Sequence, residues 1–95
     1  MSGPPQACRF WVSGRVQGVG FRWFARQAAR EVGGLAGRVR NLADGRVEVE
    51  VAGDGERLEA LRQRLRQGPP GARVAGLEEQ EISPVPEWDG FIIDR

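Results

Sequence analysis

The chain predicts an α+β fold: a two-layer sandwich of order βαββαβ with a short C-terminal strand, an antiparallel sheet carrying two helices on one face. Three observations predict it. Stretches with apolar residues at every second position alternate, in that order, with stretches spaced three and four apart. Glycine pairs or glycine–proline clusters stop each helical stretch. Asp44-Gly45 joins two strand patterns so closely that only a hairpin fits. Right-handed crossovers then place the first strand beside the third in the middle of the sheet. A length of 95 residues makes one small domain, with residues 1–6 expected as a flexible N-terminal arm and 7–95 as the folded part.

Each element has a local cause. In Ala7–Ser13, Cys8, Phe10 and Val12 share a face, and the aromatic and β-branched content suits a central strand ending at Gly14. Phe21, Phe24, Ala25, Ala28 and Val32 follow at helical spacing, so a helix spans 21–32 and stops at Gly33-Gly34. The second strand, 35–42, turns Leu35, Gly37, Val39 and Asn41 to one face and Arg38 and Arg40 to the other. In the third strand, 46–52, Val47, Val49 and Val51 point inward and Glu48 and Glu50 are expected in water. Asp54 is placed to cap a second helix, with Glu56 in its first turn and Leu58, Leu61 and Leu65 on its inner stripe. Gly68-Pro69-Pro70-Gly71 ends that helix. A fourth strand near 73–82 is interrupted by Glu78, Glu79 and Glu81, Pro84-Val85-Pro86 is an extended connector, and Phe91-Ile92-Ile93 is the last strand.

Composition narrows the chemistry. There is no histidine, so Ser-His and Cys-His nucleophile pairs and histidine-ligated metals are excluded. Cys8 is the only cysteine, which rules out a disulfide within the chain or a thiolate cluster. Ser2, Ser13, Ser83 and Cys8 are the only hydroxyl or thiol nucleophiles, none with a visible base beside it. An enzyme built on this chain is therefore expected to position water. The start has no apolar targeting segment and no run long enough to span a membrane, so a cytoplasmic protein with no membrane partner is expected.

Charge is uneven. Residues 1–46 hold eight arginines against two acids, a net +6, whereas residues 47–95 hold six against eleven, a net −5. The basic half contains Gly14-Arg15-Val16-Gln17-Gly18-Val19-Gly20-Phe21-Arg22, where three glycines free the backbone for φ > 0 and allow successive N–H groups to converge. The helix that starts there adds its positive dipole end, and Arg22 adds a planar fork of donors, so the expected ligand is a phosphate group. The loop lacks the Gly-Lys-Ser/Thr of a P-loop, and Trp23 stands where a dinucleotide fingerprint needs a third glycine. An ordinary tight turn is the plain alternative. Asn41, the only asparagine, reads on local grounds alone as a turn residue bonding its own backbone.

The stretch Gly14-x-Val16-Gln17-Gly18-Val19-Gly20-Phe21-Arg22, followed by Gly37-x-Val39-x-Asn41-x-x-x-Gly45-x-Val47 and Gly53, resembles the acylphosphatase family. The resemblance implies that family's ferredoxin-like fold over residues 7–95 and metal- and cofactor-independent hydrolysis of acyl phosphates to carboxylate and inorganic phosphate. It further implies Arg22 as the phosphate-binding arginine, Asn41 as the residue positioning the attacking water, and the backbone of Val16, Gln17, Gly18, Val19, Gly20 and Phe21 as the phosphate cradle. Inorganic phosphate is then expected as product and competitive inhibitor of a monomer. Arg38 departs from the pattern, because the family usually has an aromatic residue there.

Two rival readings remain open. Trp11 or Trp23, with Arg38 and Arg40, would give a ferredoxin-like sheet a platform for single-stranded nucleic acid, although the strand pattern of an RNA-recognition module is missing and no nucleic-acid partner is expected. The same cradle also occurs in acylphosphatase-like domains of larger maturation proteins that handle carbamoyl phosphate.

Overall fold

The computed structural model describes residues 3–94, so Met1 and Ser2 of the expected arm, and Arg95, lie outside the described residues. The elements are β1 (Gln6–Arg15), α1 (Phe21–Val32), β2 (Ala36–Asn41), β3 (Val47–Gly53), α2 (Gly55–Gln67), β4 (Arg73–Glu81) and β5 (Phe91–Ile93). They form one five-stranded sheet in the order β4-β1-β3-β2-β5. Four strands pair antiparallel, and β5 joins β2 in parallel, so the short last strand makes the sheet mixed at that edge. Both helices lie on one face, α1 over β2 and β5 and α2 over β3 and β4. No described helix is long and apolar enough to cross a membrane.

The two ends of the helices are built differently. Asp54 caps α2, accepting from the Arg57 amide at 2.9 Å, with Glu56 in the first turn to meet the dipole. The Arg57 guanidinium then reaches the carbonyls of Val32 and Gly33 at 2.9 and 3.0 Å, placing positive charge at the C-terminus of α1. Between the layers, Phe10 and Val12 of β1 and the three valines of β3 meet Leu58, Leu61 and Leu65 of α2, all buried. Each of these leucines contributes about 1.5–3 kcal/mol by leaving water. On α1 the buried positions are Phe21 and three alanines, Ala25, Ala28 and Ala29, whose small side chains let the helix approach the sheet closely.

Strand β1 does not end at Gly14. It continues to Arg15 through an irregularity between Ser13 and Gly14, pairing Gly14 with Val74 and Arg15 with Arg73. A Cβ at Gly14 would lie 2.1 Å from the Arg73 carbonyl oxygen, so only glycine permits this close approach. At the other end, Gln6, expected in the arm, already pairs with Gly53.

The expectation that Glu48 and Glu50 stand in water is wrong. They are only 7% and 5% exposed. Both point away from the helices, but long side chains from the strands on either side fold across them. Glu50 accepts from Arg9 of β1 at 2.6 Å and from Arg38 of β2 at 2.7 Å. Glu48 accepts from Arg40 at 2.9 Å and from the Trp11 indole N–H at 3.0 Å. Strand alternation correctly assigns the face, whereas burial on that face is decided by cross-strand neighbours.

Candidate active site

The site begins where β1 stops pairing. Gly18 and Gly20 have φ of 75° and 77°, while Val19 between them keeps negative φ, so the backbone alternates hand over three residues. Alternation of this kind is able to turn neighbouring N–H groups toward a common point. Gly20 is also the N-cap of α1, and its carbonyl accepts the first helical bond, from the Phe24 amide at 2.9 Å. No side chain caps this end, and the first turn contains no acid. The positive end of α1 therefore lacks the compensation that Asp54 and Glu56 give α2, and its leading amides remain free to donate to an anion.

Asn41 comes from the opposite side. It is the last residue of β2, paired with Val47 of β3, and the hairpin beyond it closes through the Leu42 amide on the Arg46 carbonyl at 2.8 Å and the Gly45 amide on the Leu42 carbonyl at 3.2 Å. Gly45 has φ of 99°, so the Asp44-Gly45 signal makes a three-residue hairpin loop with its positive-φ residue last. Asp44 turns inward on the loop, accepting from the amide and guanidinium of Arg46.

One open cavity of about 680 Å³ brings these parts together. Its lining is Val16, Gly18, Gly20, Phe21, Arg22, Trp23, Asn41 and Ile93. Of the residues named from the sequence, Arg22, Asn41 and four of the six cradle positions therefore meet in one place. The other two cradle residues do not line it: Val19 packs against the core, and the Gln17 side chain is turned to the hairpin. Sequence reasoning misses Trp23 and Ile93 as parts of the site. Trp23, one position beyond Arg22 on α1, is 58% exposed and forms an aromatic rim, while Ile93 reaches the cavity only because β5 lies beside β2.

Arg38 lies outside the cavity. Its guanidinium is held by Glu50 and lies 3.7 Å from Asp94, so the residue that replaces the usual aromatic serves to cover a buried carboxylate on the sheet. Trp11 is likewise engaged: the guanidinium groups of Arg9 and Arg46 lie 5.9 and 5.7 Å from its ring, and its indole N–H is taken by Glu48.

Comparison with known proteins agrees with this architecture. The family model for acylphosphatase matches residues 8–93. An acylphosphatase of Pseudomonas paraeruginosa is 51% identical over 85 residues, covering 90% of this chain and 91% of that protein. One from Koribacter versatilis is 48% identical over 86 residues, covering 90% and 77%. The crystal structure of acylphosphatase from Bacillus subtilis superposes with a TM-score of 0.90 at 34% identity, covering 95% of this chain and 99% of that one. With a match spanning nearly every element from β1 to β5, the chain belongs to the acylphosphatase family.

Proposed function

We propose that this protein hydrolyses the carboxyl–phosphate bond of acyl phosphates by in-line attack of water, without metal or cofactor. One observation carries the reading: Arg22 at the uncapped start of α1 and Asn41 at the end of β2 line the same cavity as the glycines of the loop. In this reading the backbone amides of residues 16–21 and the Arg22 fork hold the phosphoryl oxygens and compensate the charge that shifts in a loose transition state. Asn41 holds the attacking water, its amide offering an acceptor and two donors. The carboxylate leaving group of an acyl phosphate departs without a protonating acid, and the phosphate itself takes the proton from water. A chain with no histidine and one buried cysteine suits that chemistry, because no side-chain base or nucleophile is required.

In this reading a monomer is the catalytic unit. Inorganic phosphate, the product, fits the same cradle and inhibits competitively. The engagement of Trp11, Arg38 and Arg40 with Glu48 and Glu50 favours this reading over a nucleic-acid platform on the sheet.

The test is hydrolysis of acetyl or benzoyl phosphate in the presence of a chelator, with a phosphomonoester as control. Turnover of the acyl phosphate alone is expected. Asn41→Ala is expected to lower kcat by roughly 10²–10³ with phosphate inhibition nearly unchanged, since an oriented water acts in the transition state. Near-normal turnover of that variant would refute the role of Asn41.

A further inference from the structure

Gln17 sits inside the glycine loop, yet its side chain does not line the cavity. Its amide nitrogen donates twice, to the Leu42 carbonyl at 2.8 Å and to the Arg46 carbonyl at 3.0 Å. Those two carbonyls close the hairpin loop: the Arg46 oxygen already accepts from the Leu42 amide, and the Leu42 oxygen from the Gly45 amide. Both hydrogens of one NH₂ group are thus spent on the residue next to Asn41 and on the residue across the loop from it. Among the described residues, no other side-chain hydrogen bond links this glycine loop to that hairpin.

We propose that Gln17 is a positioning residue that fixes the distance between the two halves of the site, acting on the reaction through Asn41. This rests on the acyl-phosphate reading above. The sheet carries both segments, with Val12 of β1 and Asn41 of β2 each paired to Val47 of β3, and Val16, Val19 and Phe21 root the loop in the core. Between those anchors Gly18 and Gly20 leave the backbone free to bend. The two hydrogen bonds from the Gln17 amide tie this part of the loop directly to the hairpin that follows Asn41. In-line attack needs the water and the phosphorus within a few tenths of an ångström of the productive separation, so a loosened clamp costs turnover while leaving the cradle able to grip phosphate.

The experiment compares Gln17→Met, which keeps the length and loses both donors, with Gln17→Asn, which keeps the amide but is one methylene too short to reach both carbonyls. Each is expected to lower kcat about tenfold, with KM and the phosphate inhibition constant changed by less than about threefold. In an Asn41→Ala background the same changes should cause little further loss, because the residue they act through is gone. All kinetics are read at temperatures where each variant remains fully folded by circular dichroism. Unchanged kcat in both single variants, or a full tenfold loss repeated in the Asn41→Ala background, would overturn the proposal. The reading beneath it fails differently, by absence of acetyl phosphate hydrolysis in the unsubstituted protein.

Discussion

Gly37 offers the sharpest test of how β2 is held. It is buried, paired with Val51, and four residues before Asn41 on the same strand. A Cβ added there would lie 1.9 Å from the Glu50 carbonyl oxygen and 2.8 Å from the Val51 Cα, all backbone atoms of β3. An unstrained carbon–oxygen approach is about 3.3 Å, so β2 and β3 would have to part locally by about 1.4 Å. No flexible side chain can yield instead, and β3 is itself held by β1 on its other edge. The cost of Gly37→Ala belongs at the upper end of overpacking penalties, about 3 kcal/mol. For a domain of this size that lowers the melting temperature by about 12–24 °C. Gly55→Ala is the matched control. Gly55 opens α2, its added Cβ would meet only the Gln6 amide tip at 3.4 Å, and the same substitution should be neutral or stabilise by about 0.4–1 kcal/mol. Thermal unfolding followed by circular dichroism reads both. Below its own melting point Gly37→Ala should also lose acyl phosphate turnover, because Asn41 moves with the strand. A Gly37→Ala melting temperature within about 4 °C of the unsubstituted protein would refute the steric argument.

Three further outcomes follow from named groups. Arg22→Lys should weaken inhibition by inorganic phosphate about tenfold and slow turnover as well, because a point charge cannot reproduce the bidentate fork; an unchanged inhibition constant would remove Arg22 from the cradle. Burial raises the Glu50 carboxyl pKa, but the hydrogen bonds from Arg9 and Arg38 more than offset this and hold it below the usual carboxylate range. Its contribution is therefore complete above pH about 4.3 and is lost as pH falls through the lower folded value. Glu50→Gln should cost about 1–3 kcal/mol in urea unfolding at pH 7, less than for a fully buried pair because both arginines remain partly exposed, and should flatten that acid limb. Burial, reinforced by the Glu79 carboxylate, pushes the Cys8 thiol up to about 11. The unfolded thiol ionises first, so stability should fall between pH about 8.5 and 11. The chain has no lysine or tyrosine to titrate in that window, and Cys8→Ala should abolish the alkaline limb.

Legibility in the sequence follows the range of the cause. Helix α1 from Phe21 to Val32, the Asp54 cap and the leucine stripe of α2 depend on neighbours within a few residues, and all three are observed as expected. Arg22 and Asn41 can be paired from residue spacing because two separated motifs resemble one family, and the fold brings both to one cavity. The burial of Glu48 and Glu50 is hidden because it depends on Arg9, Arg38 and Arg40, arriving from two other strands. The Gln17 clamp spans 25 and 29 positions, and a glutamine in a loop carries no local sign of so distant a partner. Ile93 joins the site only through the parallel pairing of β5, which its own three-residue pattern does not specify.

The acids that make β4 irregular as a strand pattern have a consequence at the boundary of the sheet. β4 is an edge strand, and Glu78, Glu79 and Glu81 crowd its second half, with Arg62 neutralising only Glu79. A second chain adding itself to that row of open amides and carbonyls would bring a similar acidic run against it and meet repulsion along the seam. The opposite edge is only three residues long. What reads as weak strand grammar is thus a guard against sheet growth from molecule to molecule, and it leaves the interior of the sheet free to be as valine-rich as packing demands.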